Sequence, residues 1–139
     1  MDKQLFAHTF LEEYEVYIKP ALSKIDVFLK TSEYPLCASD VACVLEIDEA
    51  EVQSILHKID KAAIDKCTFF DIMTKGTSAI CRLFSREVEI GSPPTYTPNQ
   101  VAYIYNLDVS AVKNACQKLK IKEITTFTLN LVFANIPFS

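Results

Sequence analysis

The stretch QVAYIYNLDVSAVKNACQKL, residues 100–119, decides the fold because it contains two helical patterns and the break between them. Asn106 interrupts the first pattern. Asp108 can cap a second helix, since its carboxylate accepts hydrogen bonds from free backbone N–H groups. The apolar residues that recur at helical spacing are Val101, Ala102 and Tyr105 before the break and Val112, Ala115 and Leu119 after it. The sequence therefore predicts a short helix, a tight turn and a second helix.

A second copy of this pattern, LCASDVACVLEIDEAEVQSILHKIDK, occupies residues 36–61 and aligns with residues 96–121 without a gap. At this offset of 60 residues the identical pairs are Val41/Val101, Ala42/Ala102, Asp48/Asp108, Val52/Val112, Lys58/Lys118, Ile64/Ile124 and Thr68/Thr128. Most of these pairs fall at positions where a structure shared by both copies would require the same residue. We therefore expect an internal duplication, with a period above the roughly 20–50 residues usual for repeat architectures.

The segment QVAYIYNLDVSAV, residues 100–112, resembles the helix-turn-helix of bacterial regulators and sigma factors. The resemblance consists of a small residue (Ala102), an apolar residue three positions later, a turn, and a β-branched residue ten positions after the small one. It implies two tandem, diverged helix-turn-helix units. The turn position that is usually glycine in that superfamily is Asn106 here and Glu46 in the first copy. We expect a looser turn in the first copy, because glutamate adopts a left-handed backbone less readily than asparagine.

Further helical patterns surround the two predicted pairs. PALSKIDVFLK, from Pro20, precedes the first pair, and SAICRLFSREVE, from Ser78, precedes the second. An extra N-terminal helix from Lys3 to Ile18 is expected to pack across both units, because neither unit buries much core alone. We predict an all-α protein built from residues 1–75, the N-terminal helix plus a first, acidic unit, and residues 76–139, a second, mildly basic unit.

An alternative fold is indicated by EITTFTLNLVF, residues 123–133, in which apolar residues alternate as they do in a strand. This pattern alone suggests a winged-helix-like α+β protein with strands near 68–73 and 126–133. The repeat favours a short helix in both copies, because the aligned segment places Asp71 opposite Leu131 and so does not share the alternation. Both interpretations stay open from the sequence.

The composition excludes several functional classes. Two glycines are too few for a phosphate loop or a dinucleotide-binding motif. The two histidines stand in no recognisable motif and no C-x-x-C occurs among the five cysteines, so we expect no enzyme, metal site, cofactor or small-molecule substrate. The N-terminus has acids where a signal peptide is apolar, and no apolar run is long enough for a membrane helix, so the expected location is cytoplasmic, without membrane association.

The outward face of the second copy contains the candidate nucleic-acid site. Residues 95–135 carry four lysines and two acids, whereas the whole chain has a net charge of −4, so any attraction to DNA must be local. Asparagine and glutamine can pair with adenine edges, and lysine with guanine or phosphate. The positions predicted to bind nucleic acid are Val109, Ser110, Lys113, Asn114, Gln117 and Lys118. The same side chains are typical of a solvated helix face.

The first copy favours protein contact, because residues 35–75 carry eight acids and four lysines. Carboxylates at the start of its second helix suit the helix dipole but repel phosphates. The residues predicted to bind a partner are Glu49, Glu51, His57, Phe133, Ile136 and Phe138. The leading functional hypothesis is a small DNA-binding, transcription-regulatory protein that uses the second unit, with a homodimer or an unlike protein as partner. The alternative is a protein-interaction module or scaffold that binds no nucleic acid.

Overall fold

The computed structural model describes residues 8–138, and these residues are mostly helical, with isolated β-bridges but no β-strand. The helices are α1 (Phe10–Glu13), a π-helical turn (Tyr14–Ile18), α2 (Lys19–Thr31), α3 (Ala38–Leu45), α4 (Glu49–Lys58), α5 (Lys66–Lys75), α6 (Ala79–Ile90), α7 (Pro98–Tyr105), α8 (Val109–Leu119) and α9 (Leu129–Ala134). The prediction of an all-α protein is confirmed for this part of the chain. The predicted start of the N-terminal helix at Lys3 lies outside the described residues.

The winged-helix alternative is wrong, because α5 covers residues 68–73 and a turn followed by α9 covers residues 126–133. Burial along the last segment follows a helix rather than a strand. Val132 and Phe133 are adjacent and both fully buried, whereas Leu131 is 53% exposed and Phe127 is 91% exposed. Adjacent side chains point to opposite faces of a strand, so two neighbouring core residues suit the helix.

The two helix pairs α3/α4 and α7/α8 begin at positions 60 residues apart, and the turns between their helices are built alike. Glu46 and Asn106 both adopt the left-handed conformation, with φ of 61° and 57°. The Ile47 N–H donates to the Ala42 carbonyl oxygen at 3.0 Å, and the equivalent bond from Leu107 is 2.8 Å. These bonds satisfy carbonyl groups that the helix end leaves free. The expectation of a looser first turn is therefore wrong.

The segments that flank the helix pairs also recur. An isolated antiparallel bridge joins Leu36 to Ile64, and another joins Tyr96 to Ile124. Asp60 and Lys120, which follow α4 and the equivalent helix α8, share a left-handed backbone with φ of 57° and 58°. Each bridge connects a residue that precedes a helix pair to the loop that follows the pair. The backbone therefore closes on itself in the same way in both segments.

The described chain divides into two compact units by contact, residues 20–89 and residues 8–19 with 90–138. We call them the central unit and the terminal unit. The sequence repeat predicts a different division, into residues 1–75 and 76–139. That division describes the repeat rather than the contacts, and it stays a prediction. α6 belongs by contact to the central unit, and α1 belongs to the terminal unit.

In the terminal unit the two ends of the described chain meet. The Phe10 N–H donates to the Ile136 carbonyl oxygen, and the Phe138 N–H donates to the His8 carbonyl oxygen, both at 2.9 Å. The Phe10 ring lies edge-on to Phe133, with centroids 4.8 Å apart. Phe10 thus completes the core formed by α7, α8 and α9.

In the central unit α6 closes the core. The Ser78 hydroxyl donates to the Leu45 carbonyl oxygen at the end of α3 (2.7 Å), and Cys81 is fully buried beside it. A Cβ atom at Gly76 would lie 2.5 Å from the Cys81 sulfur, so any other residue here would have to displace that buried side chain. The position 60 residues later is Ile136, whose side chain is buried in the terminal unit.

Candidate nucleic-acid interface

Helix α8 presents the six predicted nucleic-acid-binding residues to solvent. Its start is fixed by Asp108, whose carboxylate accepts a hydrogen bond from the Ser110 N–H at 3.1 Å. Its inner face buries Val112, Ala115 and Cys116. The exposed residues are Val109, Ser110, Lys113, Asn114, Gln117 and Lys118. The helical period therefore separates the core residues of α8 from its polar side chains, as the sequence predicted.

The orientation of α8 depends on α7, whose first turn is tightly specified. The Thr97 hydroxyl accepts from the Gln100 N–H at 3.1 Å, and the Gln100 side-chain oxygen accepts from the Thr97 N–H at 2.9 Å. This reciprocal capping satisfies two backbone donors, and Pro98 has the fixed φ that suits a first helical turn. α7 and the left-handed turn at Asn106 together fix where α8 starts.

The electrostatic character of this surface comes from lysines near the carboxyl end of α8. Lys113, Lys118, Lys120 and Lys122 are all solvent-exposed. Three of the four stand at or beyond the last turn of α8, where cations also suit the negative end of the helix dipole. Glu123 is an exposed acid beside them. The net positive charge of residues 95–135 is thus concentrated around one helix end.

A groove of about 360 Å³ runs between α8 and the C-terminal residues of the terminal unit. Three of the six predicted residues, Ser110, Asn114 and Lys118, line it together with Asp108. The opposite wall includes Asn135 and Pro137, which sequence reasoning missed. An isolated bridge between Pro137 and Thr9 holds that wall in place. No local sequence pattern predicts this wall of the groove, because its position depends on pairing between residues near the two ends of the described chain.

The predicted partner-binding residues of α4 do not form one free surface. Glu49 and His57 are exposed, as predicted. Glu51 is half-buried, and its carboxylate accepts hydrogen bonds from the Thr77 N–H (2.8 Å) and the Thr77 hydroxyl (2.9 Å). This carboxylate ties α4 to the segment before α6. Glu51 is therefore already engaged within the central unit, and its role in partner binding stays a prediction.

The predicted apolar patch in the C-terminal tail is wrong. Phe133 and Ile136 are buried, with 0% and 1% of their surface exposed. Phe138 is half-buried and lies 5.4 Å from the Phe10 ring, measured between centroids. Because α1 packs on this tail, the apolar side chains that the sequence predicted to be a surface patch contribute to the core of the terminal unit. The exposed apolar side chains of this region are instead Phe127 and Leu131.

Three of the cysteines are exposed and two, Cys81 and Cys116, are buried, and all five are free thiols. A hydrogen bond between Cys37 and the Ser39 hydroxyl (3.0 Å) lowers the pKa of the exposed Cys37 thiol. Burial raises the pKa of the Cys81 and Cys116 thiols. Among the described residues, no group of three histidine, cysteine or acidic side chains could hold a metal ion.

Comparison with protein-family models, curated proteins and solved structures finds no match to this chain. Within residues 8–138, every helix is too short or too polar to cross a membrane.

Proposed function

We propose that the chain is a small, non-enzymatic DNA-binding protein of the transcription-regulatory kind, in which α7 and α8 form a helix-turn-helix. One observation carries the proposal: the exposed face of α8 combines two amides, a hydroxyl and two lysines at the positions where the resemblance expects base and phosphate contacts. A recognition helix lies in the major groove with its first turns against the base edges. The capped start of α8 suits such an approach.

The exposed side chains divide into those that would contact bases and those that would contact phosphates. Asn114 and Gln117 can each pair with two groups on adenine, and Lys113 can donate to guanine or to phosphate. Lys118, together with Lys120, would contact the phosphate backbone, which positions the protein but carries no sequence information. Because the chain has a net charge of −4, one such site is expected to bind weakly, and a dimer would add a second half-site.

The helix pair α3/α4 is, on this proposal, a second helix-turn-helix unit that does not bind DNA. Glu49 stands where α8 has Val109, and Gln53 stands where α8 has Lys113. An exposed carboxylate in the first turn of α4 repels phosphates at the point where a recognition helix would approach them. This unit then serves as scaffold or as a contact for other proteins.

The test is a mobility-shift screen of genomic fragments with the full chain at about 50 mM salt, where nonspecific affinity is high, followed by titration of any retained fragment. Lys113→Ala should weaken binding and reduce the slope of log affinity against log salt by about one. Gln53→Ala, at the equivalent position of α4, is the matched control and should change neither quantity. Failure to retain any fragment, or equal losses from both substitutions, contradicts the proposal.

A protein-interaction module that binds no nucleic acid is the second candidate. It is favoured by Phe127, which is 91% exposed although large apolar side chains are usually buried. If the screen retains no DNA while the protein associates with itself or with another chain, this candidate replaces the first.

A further inference from the structure

The exposed face of α8 has an uncharged centre with one lysine on each side. Ser110, Asn114 and Gln117 are exposed and follow one another at spacings of four and three residues, so they form one polar stripe along the helix. At about 100° per residue, Lys113 and Lys118 lie about 70° to either side of this stripe. The groove along α8 supports the arrangement, because Lys118 lines it and Lys113 does not. The two ammonium groups therefore border the polar stripe on opposite sides.

This arrangement matches the dimensions of a DNA major groove. A helix with its side chains is about 10–12 Å across, and the major groove is about 12 Å wide. A helix that fills the groove presents the centre of its outer face to the base edges and its flanks to the phosphates of the two strands. From Ser110 to Gln117 the helix rises about 10 Å, which spans about three base pairs.

The side chains of this face suit adenine and thymine. Asparagine and glutamine pair with two groups on adenine, and apolar side chains pack on the thymine methyl group. Asn114 and Gln117 supply the amides, and the exposed Val109 supplies an apolar contact in the first turn. Guanine is most often contacted by arginine and cytosine by acidic side chains, and α8 contains neither. Both arginines of the chain, Arg82 and Arg86, belong to α6. The face thus offers the usual pairings for A·T and lacks those for G·C.

We propose that α8 selects DNA in which about three successive base pairs under its polar stripe are A·T. Asn114 and Gln117 each pair with an adenine, whereas Ser110, which can contact either kind of base pair, leaves one end of the site less strictly defined. The two flanking lysines contact phosphates of both strands and so add affinity without base preference. The proposal rests on the DNA-binding function proposed for the same helix and names the class of sequence that this helix selects.

Helix α4 supplies an internal control of equal geometry. Every position from 51 to 60 has the same degree of burial as the position 60 residues later, so the two helices expose equivalent positions. The residues of α4 at the positions of Asn114 and Gln117 are Ser54 and His57. A substitution in α4 therefore repeats the change of charge and size made in α8 without touching the amides.

The first experiment selects binding sites for the full chain from a pool of randomised DNA duplexes at about 50 mM salt. The selected sites should share a run of A·T pairs. Asn114→Arg should change one position of the run to guanine, because arginine pairs with the O6 and N7 atoms of guanine. Ser54→Arg adds the same charge at the equivalent position of α4 and should leave the selected sequence unchanged. Both residues are exposed, so neither substitution should unfold the protein, and circular dichroism checks this.

A second experiment separates contacts with base edges from recognition of DNA shape. Inosine paired with cytosine presents the major-groove pattern of G·C but lacks the guanine amino group, so its minor groove resembles that of A·T. Replacing the selected A·T pairs by such pairs should weaken binding about tenfold or more, because the amides lose their adenine partners. Lys113→Ala and Lys118→Ala should each weaken binding to both duplexes by the same factor, since phosphates carry no sequence information.

The outcomes separate the base preference from DNA binding itself. If no duplex of any sequence is retained, both proposals fail. If duplexes are retained without a preference for A·T, or if the inosine duplex binds as well as the A·T duplex, DNA binding stands and base selection by α8 is overturned. A selected sequence that Asn114→Arg leaves unchanged, or that Ser54→Arg alters, also overturns it.

Discussion

The segments α3–α5 and α7–α9 repeat the same helix pair and closing bridge, although α9 is shorter than α5 and starts three residues later in the repeat. They differ in what they present to solvent. Left-handed turns, closing bridges and an aspartate before the second helix recur 60 residues apart, although only Asp108, and not Asp48, accepts a capping hydrogen bond through its side chain. The exposed faces have diverged: Glu49 replaces Val109, Gln53 replaces Lys113, and Asp71 replaces Leu131. The backbone depends on buried and capping residues, so the exposed positions are free to change chemistry. Function is therefore to be sought where the two copies differ.

The copies also differ in how their cores are closed. In the central unit Gly76 lets α6 approach closely, and the chain continues directly into that helix. In the terminal unit Ile136 fills the equivalent position, and α1 joins from the other end of the chain through the Thr9–Pro137 bridge. The same three-helix segment can thus be completed by a helix that follows it or by one that precedes it.

The largest effect is expected in the terminal core. Phe133→Ala should lower the free energy of unfolding by about 3–5 kcal/mol, because it removes a fully buried ring that contacts Phe10 and Tyr14. Leu131→Ala, in the same helix but 53% exposed, should change it by less than about 0.5 kcal/mol. Urea denaturation measures both. Similar losses from the two substitutions would mean that α9 is not packed as described.

A smaller effect should distinguish two lysines at equivalent positions. Lys118→Ala should reduce affinity for a retained DNA fragment about fivefold near physiological salt, since one phosphate contact is lost. Lys58→Ala removes the same side chain from α4 and should have no effect, because that helix begins with acids. Fluorescence anisotropy titrations at several salt concentrations measure both. An equal loss from Lys58→Ala would show that the charge difference between the copies does not decide which of them binds.

The two turns should respond differently to glycine. Glu46→Gly should raise the free energy of unfolding by about 0.5–1 kcal/mol, because glycine lacks the Cβ atom that makes the left-handed conformation costly. Asn106→Gly should gain less, since asparagine already tolerates that conformation. Glu46→Ala controls for loss of the carboxylate and should bring no gain. Thermal and urea unfolding together measure these differences; an equal gain at both turns would contradict the stated cause.

The smallest effect concerns the N-cap of α5 and depends on pH. Hydrogen bonds from the Thr68 backbone N–H and side chain lower the pKa of Asp65 below its usual 3.8. A carboxylate with a lowered pKa in the folded state stabilises the protein above the unfolded pKa, and that stabilisation is lost as pH falls through the folded value. Asp65→Thr, which copies Thr125 at the equivalent position, should cost stability at pH 7, and this cost should shrink as the pH falls through the lowered pKa of Asp65. Urea midpoints across this range are the measurement, and a constant difference would exclude the titration of Asp65 as the cause.

The local features of the helix pairs could be predicted from the sequence. Asp108 caps α8, Asn106 adopts the left-handed turn, and Val112 and Ala115 face the core. Each depends on interactions within a few residues, which helical spacing and residue type specify directly. For the same reason the sequence correctly predicts that the six positions of α8, five polar residues and Val109, lie on its exposed face, while their role in binding DNA stays a proposal.

Only the tertiary structure decided which apolar residues lie inside. Phe133 and Phe127 belong to the same alternating pattern, yet one is fully buried and the other is 91% exposed. Phe133 is buried because Phe10, more than a hundred residues earlier, packs against it. The second wall of the groove beside α8 likewise depends on the distant pairing of Thr9 with Pro137. Helical spacing and capping act within a few residues, so the sequence predicts them directly. Burial depends on which distant segment packs against a residue. Tertiary packing determines this, and no local sequence pattern indicates it.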